Sequence, residues 1–305
     1  MARQFSQHVT HGLAGSPQNA GGLWSDAPEA AFNNRDVSVY FNDFNTGFSS
    51  FDLTNDWLAT LVNGAAGGTS WSLGAAQAST TPQFVGFIFV ASGTVASSGF
   101  TLGTASGTGL DGCFASPAIT PYYPTSGITV PAAANFIAYE TKVACTTANG
   151  WANTSWFFGL ANTATSTTIP ISSTGVVSAG TTGLAGFNHV VASGTGIPTL
   201  SVAGSTGTVV AVTPDRPITA GVQNTALVDG SRRFGIRIET QAATSASSGQ
   251  RVFFYLDGLL RARFLMTSAM GANNIKPVFS VMNNSAGQVT TTFRVDWLSY
   301  AAGRA

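Results

Sequence analysis

Charge is scarce in this chain. Lys, Arg, Asp and Glu together supply 9% of the 305 residues and cancel to a formal net charge of zero. Nucleic-acid binding calls for clustered basic side chains that offset phosphates, so the composition argues against that partner. A disordered chain would carry more charge and far fewer aromatics than the 21 phenylalanines present. Glutamate is limited to Glu29, Glu140 and Glu239, histidine to His8, His11 and His189, and cysteine to Cys113 and Cys145. No apolar run approaches the roughly 18–20 residues of a membrane span. The most apolar segment, Phe84–Ala91, suits a buried strand. Residues 1–8 lack the apolar stretch of an export signal, so synthesis in a host cytoplasm without export is expected, with both cysteines as thiols.

What the chain does have is short apolar runs cut by Gly, Ser and Thr. The clearest is Arg251–Phe264, an alternating run with Asp257-Gly258 at its middle. Both central residues of a type I′ turn need positive φ, so an Asp-Gly pair flanked by alternation predicts a two-residue hairpin. Further strands are expected at Ser70–Leu73, Phe84–Ala91, Gly99–Leu102, Phe136–Cys145, Ser155–Leu160, Gly186–Ser193, Thr199–Val202, Val209–Val212, Phe234–Thr240, Val278–Met282 and Val289–Tyr300. A short helix is expected near Thr54–Val62, capped by Asp52 or Thr54. Residues 1–34 carry Gly and Pro without apolar period and read as an extended arm that orders only against another surface. The division is thus an arm, 1–34, and a sandwich, 35–305.

Side chains alternate between the two faces of a strand, so each face can be read separately. Ile137, Tyr139, Thr141, Val143 and Cys145 share one face, opposite Phe136, Ala138, Glu140, Lys142 and Ala144. Phe234, Ile236 and Ile238 oppose Arg237 and Glu239, and Phe293, Val295 and Trp297 oppose Arg294 and Asp296. Three strands of this kind are expected to be neighbours joined by cross-strand charge pairs.

The order of segments resembles the concanavalin A-like (laminin G-like) jelly-roll superfamily, and within it domains of tailed-phage virion structural proteins. The residues that carry the likeness are Val39–Phe44, Phe136–Val143, Trp156–Ala161, Gly186–His189, Val252–Gly258 and Phe293–Tyr300. The resemblance spans roughly residues 36–302. It implies an all-β, antiparallel two-sheet sandwich with an extended N-terminal arm, in which Tyr40–Phe44 lies beside Val295–Tyr300. Fold alone does not choose a function, because the superfamily holds glycosidases, lectins and structural modules.

Catalysis by a retaining pair of carboxylates needs two acids about 5–5.5 Å apart. Glu140 is followed on its face by Lys142, and Glu239 is preceded by Arg237, so both read as ion-pair partners. His8 and His11 stand in the Gly-rich arm and His189 stands alone, which gives no zinc set. Asn42-Asp43, Asn45 and Asp52-Asn55-Asp56 read as turn and capping residues before calcium ligands. Trp57 and Trp297 read as core, whereas Trp24, Trp71, Trp151 and Trp156 are candidate sugar platforms, Trp151 above all. The expectation is therefore no catalytic, metal or cofactor residue and no enzyme. The reading reached from sequence is a capsid decoration or cement protein of a phage virion. It would bind the major capsid protein and copies of itself, as a homotrimer on the head surface, and would contact neither nucleic acid nor membrane. The alternatives are a tail-associated or receptor-binding lectin that grips host glycans, and a glycan hydrolase testable at Glu140 and Glu239.

Overall fold

A computed structural model describes residues 23, 37–42, 57–62, 75–76, 99–103, 112–117, 136–145, 149–162, 177, 183–190, 195–204, 206–219, 231–240, 249–270, 275–282 and 292–303. The strands are β1 (Val37–Asn42), β2 (Trp57–Val62), β3 (Ala75–Ala76), β4 (Gly99–Gly103), β5 (Gly112–Pro117), β6 (Phe136–Cys145), β7 (Ser155–Asn162) and β8 (Leu184–His189). There follow β9 (Thr199–Ala203), β10 (Val209–Val212), β11 (Ser231–Thr240), β12 (Gln250–Leu256), β13 (Leu259–Leu265), β14 (Ile275–Met282) and β15 (Thr292–Gly303). One helical turn, α1 (Gly150–Asn153), precedes β7.

Two antiparallel sheets form a jelly-roll sandwich. An eight-stranded sheet runs β13-β12-β11-β6-β15-β4-β3, with β1 also on β15, and a seven-stranded sheet runs β10-β9-β8-β7-β14-β5-β2. The first and last strands lie side by side as expected, Tyr40 opposite Tyr300 and Asn42 opposite Leu298. The charged strands β11, β6 and β15 are indeed neighbours. The expected segments at 70–73 and 84–91 lie outside the described residues.

The core fills the space between the sheets. Ile137, Tyr139 and Val143 of β6 with Phe234, Ile236 and Ile238 of β11 meet Trp156, Phe158 and Leu160 of β7 and Phe187 of β8. Trp151 packs edge-on to Trp156 at 5.2 Å and to Phe293 at 5.1 Å between ring centroids. Its position corrects the sugar-platform expectation: Trp151 is 1% exposed and Trp156 fully buried. Asn149, left-handed at φ 58, starts α1, and its carbonyl accepts from Ala152 and Asn153 N–H at 3.0 Å each, which folds Trp151 inward. The indole Nε1–H of Trp156 donates to the Trp151 carbonyl at 3.2 Å, so the buried donor is satisfied.

Two further expectations change. Residues 57–62 form strand β2, paired with β5, where a helix was expected. In β15 the register shifts between Val295 and Trp297, so Leu298 and Tyr300 point into the core and Trp297 leaves it, half-buried. One extra residue in a ladder reverses every later side chain, which is the effect of a β-bulge.

The β12–β13 hairpin turns at Asp257-Gly258 with φ 54 and 77, the expected left-handed pair. Asp257 also clamps the start of β11: its carboxylate accepts from Arg232 Nη2 at 2.6 Å and from the Arg233 N–H at 3.0 Å. Arg232 Nη1 donates to the Thr219 carbonyl at 2.8 Å. The turn thereby fixes how β12 and β13 sit against β11, and so the surface they share.

Candidate functional site on the outer face of the eight-stranded sheet

Register places the outward side chains of five strands in cross-strand rows. One row runs Ser299, Glu140, Gly235, Tyr255 and Leu260; the next runs Ala301, Ala138, Arg237, Phe253 and Arg263. A third holds Phe136, Glu239, Arg251 and Leu265, while Lys142 and Arg233 stand opposite each other beyond Glu140. Aromatic rings, guanidiniums and carboxylates thus alternate over one face.

Arg237 is the fixed point of this grid. Its side chain is 3% exposed, its Nε donates to Glu239 at 2.7 Å, and its guanidinium lies 4.5 Å from the Phe136 ring centroid. Its Nη1 donates to the Leu23 carbonyl at 3.3 Å. Leu23, 2% exposed, packs with Phe136, Ala138, Tyr255 and Ala301. Its side chain needs the missing Cβ of Gly235, since a Cβ there would come within 2.5 Å of Leu23 Cδ2. This one described residue of the expected arm lies on the chain's own sheet.

Glu140 and Glu239 stand on the same face, each with a guanidinium. Glu140 pairs with Arg233 across strands at 3.4 Å, as expected, whereas Glu239 pairs within its own strand. The Glu140 carboxylate side chain is only 11% exposed. The two acids are four residues apart along the register and one strand apart across it, about 14 Å by strand rise and spacing. That exceeds the roughly 5–9.5 Å of a glycosidase pair. Burial, with Arg237 and Arg263 pulling against it and Glu239 adding to it, pushes the Tyr255 hydroxyl up to about 12.

The half of the grid on β12 and β13 is open. Arg251 and Arg263 are exposed, Phe253 is half-buried between Arg237 and Arg263, and Leu265 is 48% exposed. The Arg251 and Arg263 side chains make no hydrogen bond or ion pair among the described residues. Sequence reading missed Arg251, Phe253, Tyr255 and Arg263 as a set, because only register shows that they meet.

His189 belongs to the core. Nδ1 sits 3.0 Å from the Thr154 carbonyl and Nε2 accepts the Gly196 N–H at 3.2 Å, a neutral ring with its proton on Nδ1. Burial lowers its pKa, against a smaller raising effect of the Thr154 carbonyl. Among the described residues no three His, Cys, Asp or Glu side chains gather as a metal site. Glu29, His8, His11, Trp24, Trp71, Asp43, Asn45, Asp52, Asn55 and Asp56 lie outside the described residues.

No protein-family model matches the chain, and no curated protein does. Among solved structures it is similar to an endo-1,3-beta-glucanase from Streptomyces sioyaensis, at 12% identity and TM-score 0.45, over 88% of this chain and 98% of that one. A Bacillus licheniformis beta-glucanase gives 11% identity and TM-score 0.43, over 88% of this chain and 99% of the other. The Crh5 transglycosylase gives 12% and 0.43, over 88% and 85%. All three are named as glycan-acting enzymes. The finding overturns the expectation of a non-enzymatic capsid decoration or cement protein.

Proposed function

We propose that this chain acts on a polysaccharide that lies across the outer face of the eight-stranded sheet. The observation that supports it is the open half of the grid: half-buried Phe253 offers a ring face to a sugar ring, and the charged groups around it bind hydroxyls. Glycan sites combine apolar platforms with a few fixed polar groups in this way. Glu140, largely withdrawn from water beside that platform, is the side chain we assign to proton transfer at a glycosidic oxygen.

A second reading, glycan binding without turnover, is favoured by one specific feature. Glu140 and Glu239 stand about 14 Å apart, and the Glu140 carboxylate is already paired with Arg233 at 3.4 Å. The two readings separate in one experiment. Purified protein is incubated with neutral and acidic polysaccharides, and new reducing ends and binding are both measured. Hydrolysis predicts turnover that falls about 100-fold or more in Glu140→Gln while binding persists. Binding without new reducing ends moves the conclusion to the second reading, and absence of both ends the glycan assignment.

A further inference from the structure

The grid is not electrically balanced, although the whole chain is. Among the described side chains, five cations (Lys142, Arg233, Arg237, Arg251 and Arg263) share this face with two carboxylates, Glu140 and Glu239. Both carboxylates are already answered, by Arg233 and Arg237 respectively. The surplus is concentrated at Arg251 and Arg263, on the open half, where neither guanidinium has an anionic partner among the described residues. Across β12 and β13 the two residues are diagonal neighbours, with Cα atoms about 7–8 Å apart, close enough for one ligand to touch both. Phe253 lies beside Arg263 in the same row and supplies a ring face between Arg263 and Arg237.

We infer that this open half selects polyanionic glycans, those bearing uronate carboxylates or sulfate esters, over neutral ones; the inference rests on the glycan reading above. A planar guanidinium binds a carboxylate or sulfate through two parallel N–H donors, a geometry that a neutral hydroxyl cannot return. The aromatic between the guanidiniums takes the sugar ring, so charge and ring face are read together. A single-stranded nucleic acid also combines stacking with phosphate charge. It would need a longer basic track than two unpaired guanidiniums in a chain of zero net charge.

The test measures binding of the full chain to four probes: polygalacturonate, a sulfated galactan, a neutral β-glucan and a single-stranded oligonucleotide. One of the acidic glycans is expected to bind about tenfold tighter than the neutral glucan, the sum of two exposed ion pairs in the middle of their usual range. Comparison of the two acidic arms identifies carboxylate or sulfate as the recognised group. The preference is expected to shrink as salt rises from about 50 to about 200 mM. The double variant Arg251→Gln/Arg263→Gln should abolish the preference with an unchanged melting temperature, since both side chains are exposed. Neutral glucan bound as tightly as the acidic ones overturns this inference and leaves the glycan reading standing. Oligonucleotide bound as tightly as polygalacturonate overturns it too, as does a double variant that keeps the preference. Failure to bind any polysaccharide removes both proposals.

Discussion

The two sheets of the sandwich each turn an outer face away from the core, and the faces are built for different ends. On the seven-stranded sheet the described part of that face, over β7, β8, β9 and β14, is covered by an apolar layer. Phe157 of β7 lies over Gly186 of β8, where a Cβ would come within 2.3 Å of the ring, and Ala161, Leu184, Ala203, Val278 and Val177 complete an apolar layer. On the eight-stranded sheet the equivalent glycine, Gly235, is covered by Leu23, far away in sequence, and the rows beyond it carry guanidiniums and carboxylates. A satellite cluster that seals a sheet stabilises the fold. One that covers only part of a face, as Leu23 does among the described residues, leaves the rest to the glycan on the reading proposed above.

The largest effects should come from breaking the sealed face. Phe157→Ala removes a fully buried ring and is expected to cost about 3–5 kcal/mol of stability, read as a lowered denaturant midpoint. Arg251→Gln/Arg263→Gln on the other face should stay within about 0.5 kcal/mol by the same measurement. Equal costs would mean that both faces are structural, and the contrast would fail.

A smaller effect concerns pH and tests whether the core behaves as one dry layer between the faces. His189 is held neutral by burial, with Nε2 already accepting a hydrogen bond, so protonation must break that bond. Its folded pKa lies below 6.5, so the unfolded chain binds the proton more readily. Stability should therefore be complete above about pH 6.5, fall as pH drops below it, and go on falling through the folded value. Urea midpoints at about pH 7.5, 6.5 and 5.5 in the wild type and in His189→Asn would show this. A slope that persists unchanged in the variant would assign it to other groups.

Local chemistry was legible in the sequence wherever short-range rules dominate. Asp257-Gly258 specified its hairpin because positive φ at two successive residues is a local demand, and the alternation of β6 sorted its residues between core and outer face, though nine of the ten are buried. Residues 57–62 misled because Leu58, Leu61 and Val62 also fit a helical spacing, and pairing with β5 decided the matter. Trp297 misled because a period of two gives no sign of the extra residue at Asp296. Trp151 misled because Asn149-Gly150 looks like an exposed turn, whereas it starts a helical turn that drives the indole inward. For the site, Glu140, Lys142, Arg237 and Glu239 were visible as the charged sides of strands. Arg251, Phe253, Tyr255 and Arg263 were not, since their meeting depends on the register of β12 against both neighbours.

The most direct test of where a glycan lies is backbone hydrogen exchange of the full chain with and without an acidic oligosaccharide. Slowed exchange over Arg251–Tyr255 and Leu260–Leu265, with Thr199–Ala203 on the opposite sheet unaffected, is the predicted result. Protection confined to the seven-stranded sheet, or to neither, would contradict the placement of the ligand on the guanidinium-bearing face.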